Sequence, residues 1–210
     1  MREVWKGSPL LAPVAPVLVS CGSMERPNLI TVGWVGIVST QPPRLSISIR
    51  PERYSYGLIC ESGEFAVNLP TRALTRAVDW CGVKSGREVD KFAALGLHAL
   101  EGSAISAPLL AESPAAMECR VFERIPLGSH DLFLADILAV NLESSLLDEK
   151  GKLRLERAGL LAYAHGEYYT LGKRVGSFGC SVRKRRPGRT SPKAPAGGRK
   201  KGPGNSRNRP

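Results

Sequence analysis

Arg44-Leu-Ser-Ile-Ser-Ile-Arg50 alternates apolar and polar side chains without a break. Leu45, Ile47 and Ile49 take one side, and Ser46, Ser48 and Arg50 take the other. A period of two belongs to an extended strand, whose successive side chains point to opposite faces. One face must enter a core, and the other must meet water, a partner or a ligand. Gln41-Pro42-Pro43 joins this strand to a preceding β-branched, apolar run, Ile30 to Val38, which reads as a second strand.

The remaining chain is read in the same way. Pro16–Ser20 and Glu64–Leu69 are expected strands. Tyr54–Glu61 reads as a short helix ended by Ser62-Gly63, and Thr71 opens a helix through Trp80. Lys91–Leu95 reads as a helical turn closed by Gly96. Between these helices lies a loop rich in charge and glycine, Gly82–Asp90. Ala116–Ile125 and Leu132–Leu142 are expected strands joined by Pro126-Leu-Gly-Ser-His130, which suggests an antiparallel hairpin. Asp148–Gly151 reads as a turn, and Leu160–Tyr169 mixes apolar and aromatic residues around His165-Gly166. Many short strands and few long helices favour a mainly β fold, a barrel or sandwich, over a βαβ sheet. Trp5 and Trp80 carry no ligand argument and are expected to pack.

The formal net charge of +11 suggests a nucleic-acid binder until it is mapped. Arg183–Pro210 holds 11 Lys/Arg and no Asp/Glu, so residues 1–182 hold 19 charges of each sign. The body is neutral, and nucleic acid is a partner only through the tail. That tail, 183–210, lacks the apolar residues needed to offset chain entropy and is expected to be disordered. Residues 1–182 form the expected domain. The five cysteines form no CxxC pair and suit free thiols in a reducing cytoplasm. The apolar N-terminal stretch is broken by Pro9, Pro13 and Pro16 and is too short to span a bilayer, so no membrane partner is expected.

Common catalytic signatures are missing from the sequence. His98, His130 and His165 have no ligand spacing for a metal. There is no G-x-S-x-G elbow, no G-x-G-x-x-G opening a helix and no GKS/GKT phosphate loop. What remains is the surface from Asn28 to Tyr56. Asn28 and Trp34 share strand parity, which on a regular strand points them the same way and combines an aromatic wall with a donor and an acceptor. Arg50, Arg53, Ser55 and the free N–H groups at the start of the helix near Tyr54 suit a phosphate. Together they suit a flat, aromatic, phosphorylated ligand.

The chain resembles the flavin reductase-like, FMN-binding split-barrel family, in its flavoredoxin-type branch. The resemblance covers roughly residues 10–184. It rests on NLITVGWVG at 28–36, SIRPERYSY at 48–56, GEFAVNL at 63–69, DWCGVKSGREVDKF at 79–92, PLGSHD at 126–131, HGEYYTLGK at 165–173 and GSFG at 176–179. It implies a Greek-key split β-barrel with a few short flanking helices, assembled as a homodimer that binds FMN noncovalently near the subunit interface. In that resemblance Asn28, Thr31 and Trp34 line the flavin. Ser48, Arg50, Tyr54 and Ser55 serve its phosphate and ribityl chain, and Lys91 adds a cation at the phosphate. His130 sits by the isoalloxazine ring, and Tyr163 and His165 approach it from a third segment. Position 55 keeps the hydroxyl where some relatives have Thr, and position 163 keeps the expected aromatic.

Two-electron reduction gathers negative charge near N1 and the C2 carbonyl of a flavin, so a donor such as His130 there raises its potential. The implied activity is NADH- or NADPH-dependent flavin reduction. The alternative is an FMN electron carrier reduced by a partner redox protein. No separate nicotinamide fingerprint is present to choose between the two.

Overall fold

The structure is a computed structural model and describes residues 1–182. Eleven strands run in chain order: β1 (Val17–Gly22), β2 (Pro27–Val32), β3 (Val35–Thr40), β4 (Pro43–Ile49), β5 (Glu64–Asn68), β6 (Ala99–Leu100), β7 (Leu109–Leu110), β8 (Ala115–Pro126), β9 (Asp131–Leu142), β10 (Leu161–Ala164) and β11 (Glu167–Thr170). Three helices interrupt them: α1 (Tyr54–Ser62), α2 (Thr75–Val83) and α3 (Lys91–Leu95). Seven strands form one sheet in the order β2-β1-β5-β8-β9-β4-β3, every pair antiparallel. β2 at one edge also meets β4 from the far side, so the sheet curls on itself. Met1–Gly172 is one compact unit. Of the second unit, Lys173–Pro210, the described part carries a turn in which the Cys180 N–H bonds the Ser177 carbonyl at 2.9 Å. The tail expected to be disordered lies outside the described residues.

The curled sheet encloses a core to which β1, β2, β4, β5, β8, β9 and α1 all contribute. β4 behaves as its alternation predicts, with Leu45, Ile47 and Ile49 buried in that core. β1 does not alternate, because both of its faces are covered. Val17, Val19 and Cys21 enter the barrel, while Leu18 joins a second core built with Leu29 and with Leu74, Ala77, Val78, Cys81 and Phe92 around α2 and α3. A strand buried on both faces reads as a continuous apolar run.

Three expectations need correcting. The run Ile30–Val38 is two strands, broken at Gly33-Trp34, and the carbonyl of Trp34 accepts the N–H of Ser48 at 2.9 Å. The helix from Thr71 starts as a 3₁₀ turn at Arg72–Leu74 before becoming α2. The expected ends of α1 and α3 are found: Gly63 and Gly96 both take positive φ (68° and 63°), a conformation glycine adopts without steric cost. Leu160–Tyr169 resolves into the β10–β11 hairpin, turning at His165-Gly166. Trp80 packs on the second core, but Trp5 lies in the irregular N-terminal segment and is exposed.

Candidate functional site

The break at Gly33-Trp34, the β4–α1 turn and the α2–α3 loop converge on two adjoining cavities that share Ile30 and Arg53. The first, about 260 Å³, is lined by Glu52, Arg53, Tyr54, Ser55, Cys81, Lys84, Ser85, Gly86, Arg87, Glu88 and Lys91. The second, about 270 Å³, is lined by Thr31, Val32, Gly33, Trp34, Ser48, Ile49, Arg50, His130 and Tyr163.

Charge and hydrogen-bond donors concentrate in the first cavity. Four cations (Arg53, Lys84, Arg87, Lys91) face two carboxylates (Glu52, Glu88), leaving a net +2. Lys91 is only 3% exposed. Its Nζ donates to the carbonyls of Leu29 at 2.7 Å and Cys81 at 3.0 Å, tying β2 to the C-terminal end of α2. An ammonium has three protons, so these bonds leave one over. Among the described residues no carboxylate pairs with Lys91. Burial lowers its pKa, which is the cost of holding a cation away from water without an anion. Beside it α1 begins with no side-chain cap; Tyr54 and Ser55 of its first turn line the cavity, while the Tyr56 N–H is taken by the Arg53 carbonyl at 3.0 Å.

The cavity wall is tightly fitted. Asn28 Nδ2 donates to the buried Ser55 Oγ at 2.7 Å. A Cβ on Gly86 would stand 2.1 Å from Asn28 Oδ1 and 2.7 Å from Tyr54 Cδ1, so only glycine fits at this close approach. Arg87 Nη1 reaches across to the Glu52 carbonyl at 3.0 Å and anchors the loop.

The second cavity is flatter and more aromatic. Trp34, half exposed, lies against His130 with ring centroids 4.4 Å apart and planes at 41°. Ser129 Oγ sits 3.0 Å from His130 Nδ1. Burial, then the Arg50 and Arg53 charges, lowers the His130 pKa, so the ring is neutral at pH 7. Tyr163 enters from β10, which is tied to the N-terminal segment by paired bonds between Val14 and Tyr163.

The structure thus brings together Trp34, Ser48, Arg50, Tyr54, Ser55, Lys91, His130 and Tyr163 around the paired cavities. Thr31 also lines the second, although its hydroxyl is spent on the Val78 carbonyl of α2. Asn28 and Trp34 are not on one regular strand as the parity argument assumed: Trp34 lies beyond the end of β2, and the two line different cavities. Asn28 instead supports the phosphate-sized end through Ser55. His165 is exposed in the β10–β11 turn, with φ 49°, and lines neither cavity. The sequence reading missed Lys84, Ser85 and Arg87. Their signal was the pair of cations flanking Ser-Gly in the α2–α3 loop.

A family model described as flavin reductase like domain matches residues 11–172. The chain is similar to flavoredoxin of Desulfovibrio vulgaris (Miyazaki F), at 31% identity and a TM-score of 0.79, covering 85% of this chain and 97% of that one. It is similar to an FMN-binding protein from Thermus thermophilus, solved with 1-cyclohex-2-enone bound, at 32% identity and a TM-score of 0.73, covering 84% and 99%. An NADPH-flavin oxidoreductase of Streptomyces viridifaciens is 29% identical over 143 residues, 66% of this chain and 71% of that protein.

Proposed function

The chain belongs to the flavin reductase-like domain family, and on that premise we propose that it binds FMN across the two cavities and takes electrons from NADH or NADPH. The observation that carries this reading is Lys91, a buried cation facing a cavity of net charge +2 with no carboxylate partner among the described residues. A phosphomonoester carries close to two negative charges at neutral pH. It matches that excess, would accept the third Lys91 proton and would lie beside the start of α1. The names of the Thermus and Desulfovibrio neighbours point the same way.

Bound there, FMN supplies two-electron redox chemistry through its isoalloxazine ring. The chain's own residues hold and shield it. Arg53, Lys84, Arg87 and Lys91 would fix the phosphate, and Asn28 holds the Ser55 hydroxyl in the cavity wall. Trp34 and Tyr163 give the second cavity its aromatic walls. His130, with Ser129 Oγ 3.0 Å from its Nδ1 and its ring against Trp34, would offer a ring nitrogen to the flavin. The five free thiols are compatible with a reducing cytoplasm, and no helix among the described residues is long and apolar enough to cross a membrane.

The nicotinamide reading is tested by mixing the FMN-loaded protein anaerobically with NADH or NADPH in a stopped-flow instrument. Bleaching of the flavin absorbance within one turnover by either is expected. No bleaching by either, with reduction by a redox protein, would contradict it in favour of an electron carrier.

The homodimer is part of the same proposal. The outward row Leu138, Val140 and Leu142 on β9, with Phe122 on β8 and Ile37 and Val38 on the edge strand β3, is exposed and apolar. Such surfaces mark interfaces, and a second copy supplies a matching one. Sedimentation equilibrium is expected to give twice the chain mass, and Val140→Glu to shift it toward the monomer. A monomeric wild-type protein at micromolar concentration would contradict this assembly.

A further inference from the structure

Resting on the phosphate assignment above, we propose that Tyr54 and Gly86 form a wall that ends the site after one phosphate and so selects FMN against FAD. Both residues line the cationic cavity, and both also line a third cavity of about 200 Å³ with Glu25, Arg26, Asn28 and Asp90. They are therefore the partition between the two spaces.

The partition is held from three directions. On the side of the third cavity, Arg26 Nη2 donates to the Tyr54 hydroxyl at 3.3 Å. On the side of the first, the Arg87 guanidinium lies 5.9 Å from the Tyr54 ring centroid. The Gly86 backbone is pressed against the ring edge, where an added Cβ would be 2.7 Å from Cδ1. Arg87 is itself fixed by the Glu52 carbonyl.

Charge reinforces the wall. The first cavity is cationic by two charges, while the third sets Glu25 and Asp90 against Arg26, a net −1. Ser23 Oγ donates to Glu25 at 2.6 Å, and Asp90 accepts the Ala93 N–H, so both carboxylates are held in place. FAD differs from FMN by an adenylate joined through the phosphate. Its second phosphate and adenosine extend from the phosphate end, and on the Tyr54 side of that end they meet an aromatic ring and, past it, carboxylates. A site that repels the longer ligand discriminates through that clash, whatever its affinity for the shorter one.

The test is titration of the full-length apoprotein with FMN and with FAD, followed by quenching of flavin fluorescence. Wild type is expected to bind FMN about 100-fold tighter than FAD, from the clash with the Tyr54 ring together with the weaker repulsion beyond it. Tyr54→Ala is expected to shrink the ratio of the two dissociation constants by about tenfold, while Tyr54→Phe keeps the ring and the ratio. Should Tyr54→Ala not fold, the wild-type ratio and Glu25→Gln decide, with Glu25→Gln expected to favour FAD by about threefold. Equal wild-type affinities overturn the wall alone, as does a ratio that Tyr54→Ala leaves unchanged. Failure to bind any flavin overturns the cofactor assignment, and the wall with it.

Discussion

Lys91→Met lowers the affinity for FMN by about 100-fold while changing that for riboflavin no more than about threefold, the expected result of removing one buried charge-assisted contact to a phosphate. Methionine matches the length and apolar stem of lysine, so the second core around Phe92 keeps its volume. What is lost is the ammonium that bonds the Leu29 and Cys81 carbonyls and has one proton left for an anion. Riboflavin lacks the phosphate, so the difference between the two ligands separates the electrostatic role from any loosening of β2 against α2.

The pH dependence has a definite sign. Burial lowers the Lys91 pKa from 10.5, so the cation is lost earlier in the alkaline range than for a solvated lysine. FMN affinity falls as pH rises through that lowered value, and Lys91→Met lacks this limb. Equal losses for FMN and riboflavin, or an alkaline limb that survives in the variant, would contradict the assignment.

Glu118→Ala is expected to destabilise the protein by about 3 kcal/mol or more, the scale of orphaning several buried donors at once. For a chain of this size that lowers Tm by roughly 10 °C. Glu118 is fully buried on β8. It accepts the N–H groups of Ser103, Ala104 and Ile105 at 3.0, 2.6 and 3.1 Å, the Ser103 hydroxyl at 2.6 Å and Asn141 Nδ2 at 2.6 Å. One carboxylate thereby holds Ser103–Ile105 of the loop between β6 and β7, while Glu64 accepts the next N–H, that of Ser106, at 2.7 Å. Burial alone would raise its pKa, but these donors outweigh it and hold the value down to about 2.

A folded-state pKa below the ordinary 4.5 means that the stabilisation is complete above about 4.5 and is lost as pH falls toward 2. Calorimetry from pH 7 down to pH 3 should therefore show a gap between wild type and variant that narrows with acid. A Tm at pH 7 within about 2 °C of wild type would rule out this role, since that shift corresponds to less than about 1 kcal/mol.

The barrel strands were readable because burial on one face leaves a period-two trace, as in Leu45, Ile47 and Ile49. The break at Gly33-Trp34 was not, because the residues on either side are all apolar or β-branched and local propensity continues through them. Only pairing with β4 shows that the chain turns there. Glu118 was hidden for the opposite reason. A charged residue in a strand reads as solvent-facing, and its five donors come from loop and strand positions outside its own neighbourhood.

In the site, the hydroxyls and cations of Ser48–Ser55 were legible as residue types. Lys91 gained its meaning from a carbonyl 62 positions away, which no local pattern encodes. Lys84 and Arg87 looked like an ordinary solvated loop, and become cavity walls because Gly86 lets that loop press against Asn28 and Tyr54. His165 sits in a matching motif, but its turn leaves it exposed.

The central claim is that the paired cavities hold FMN. The most direct measurement is the visible absorption spectrum of the purified full-length protein, before and after addition of FMN and removal of the excess by gel filtration. The account predicts the bands of oxidised flavin travelling with the protein and, on denaturation, release of a flavin that chromatographs as FMN. A colourless protein that retains no added FMN would contradict it.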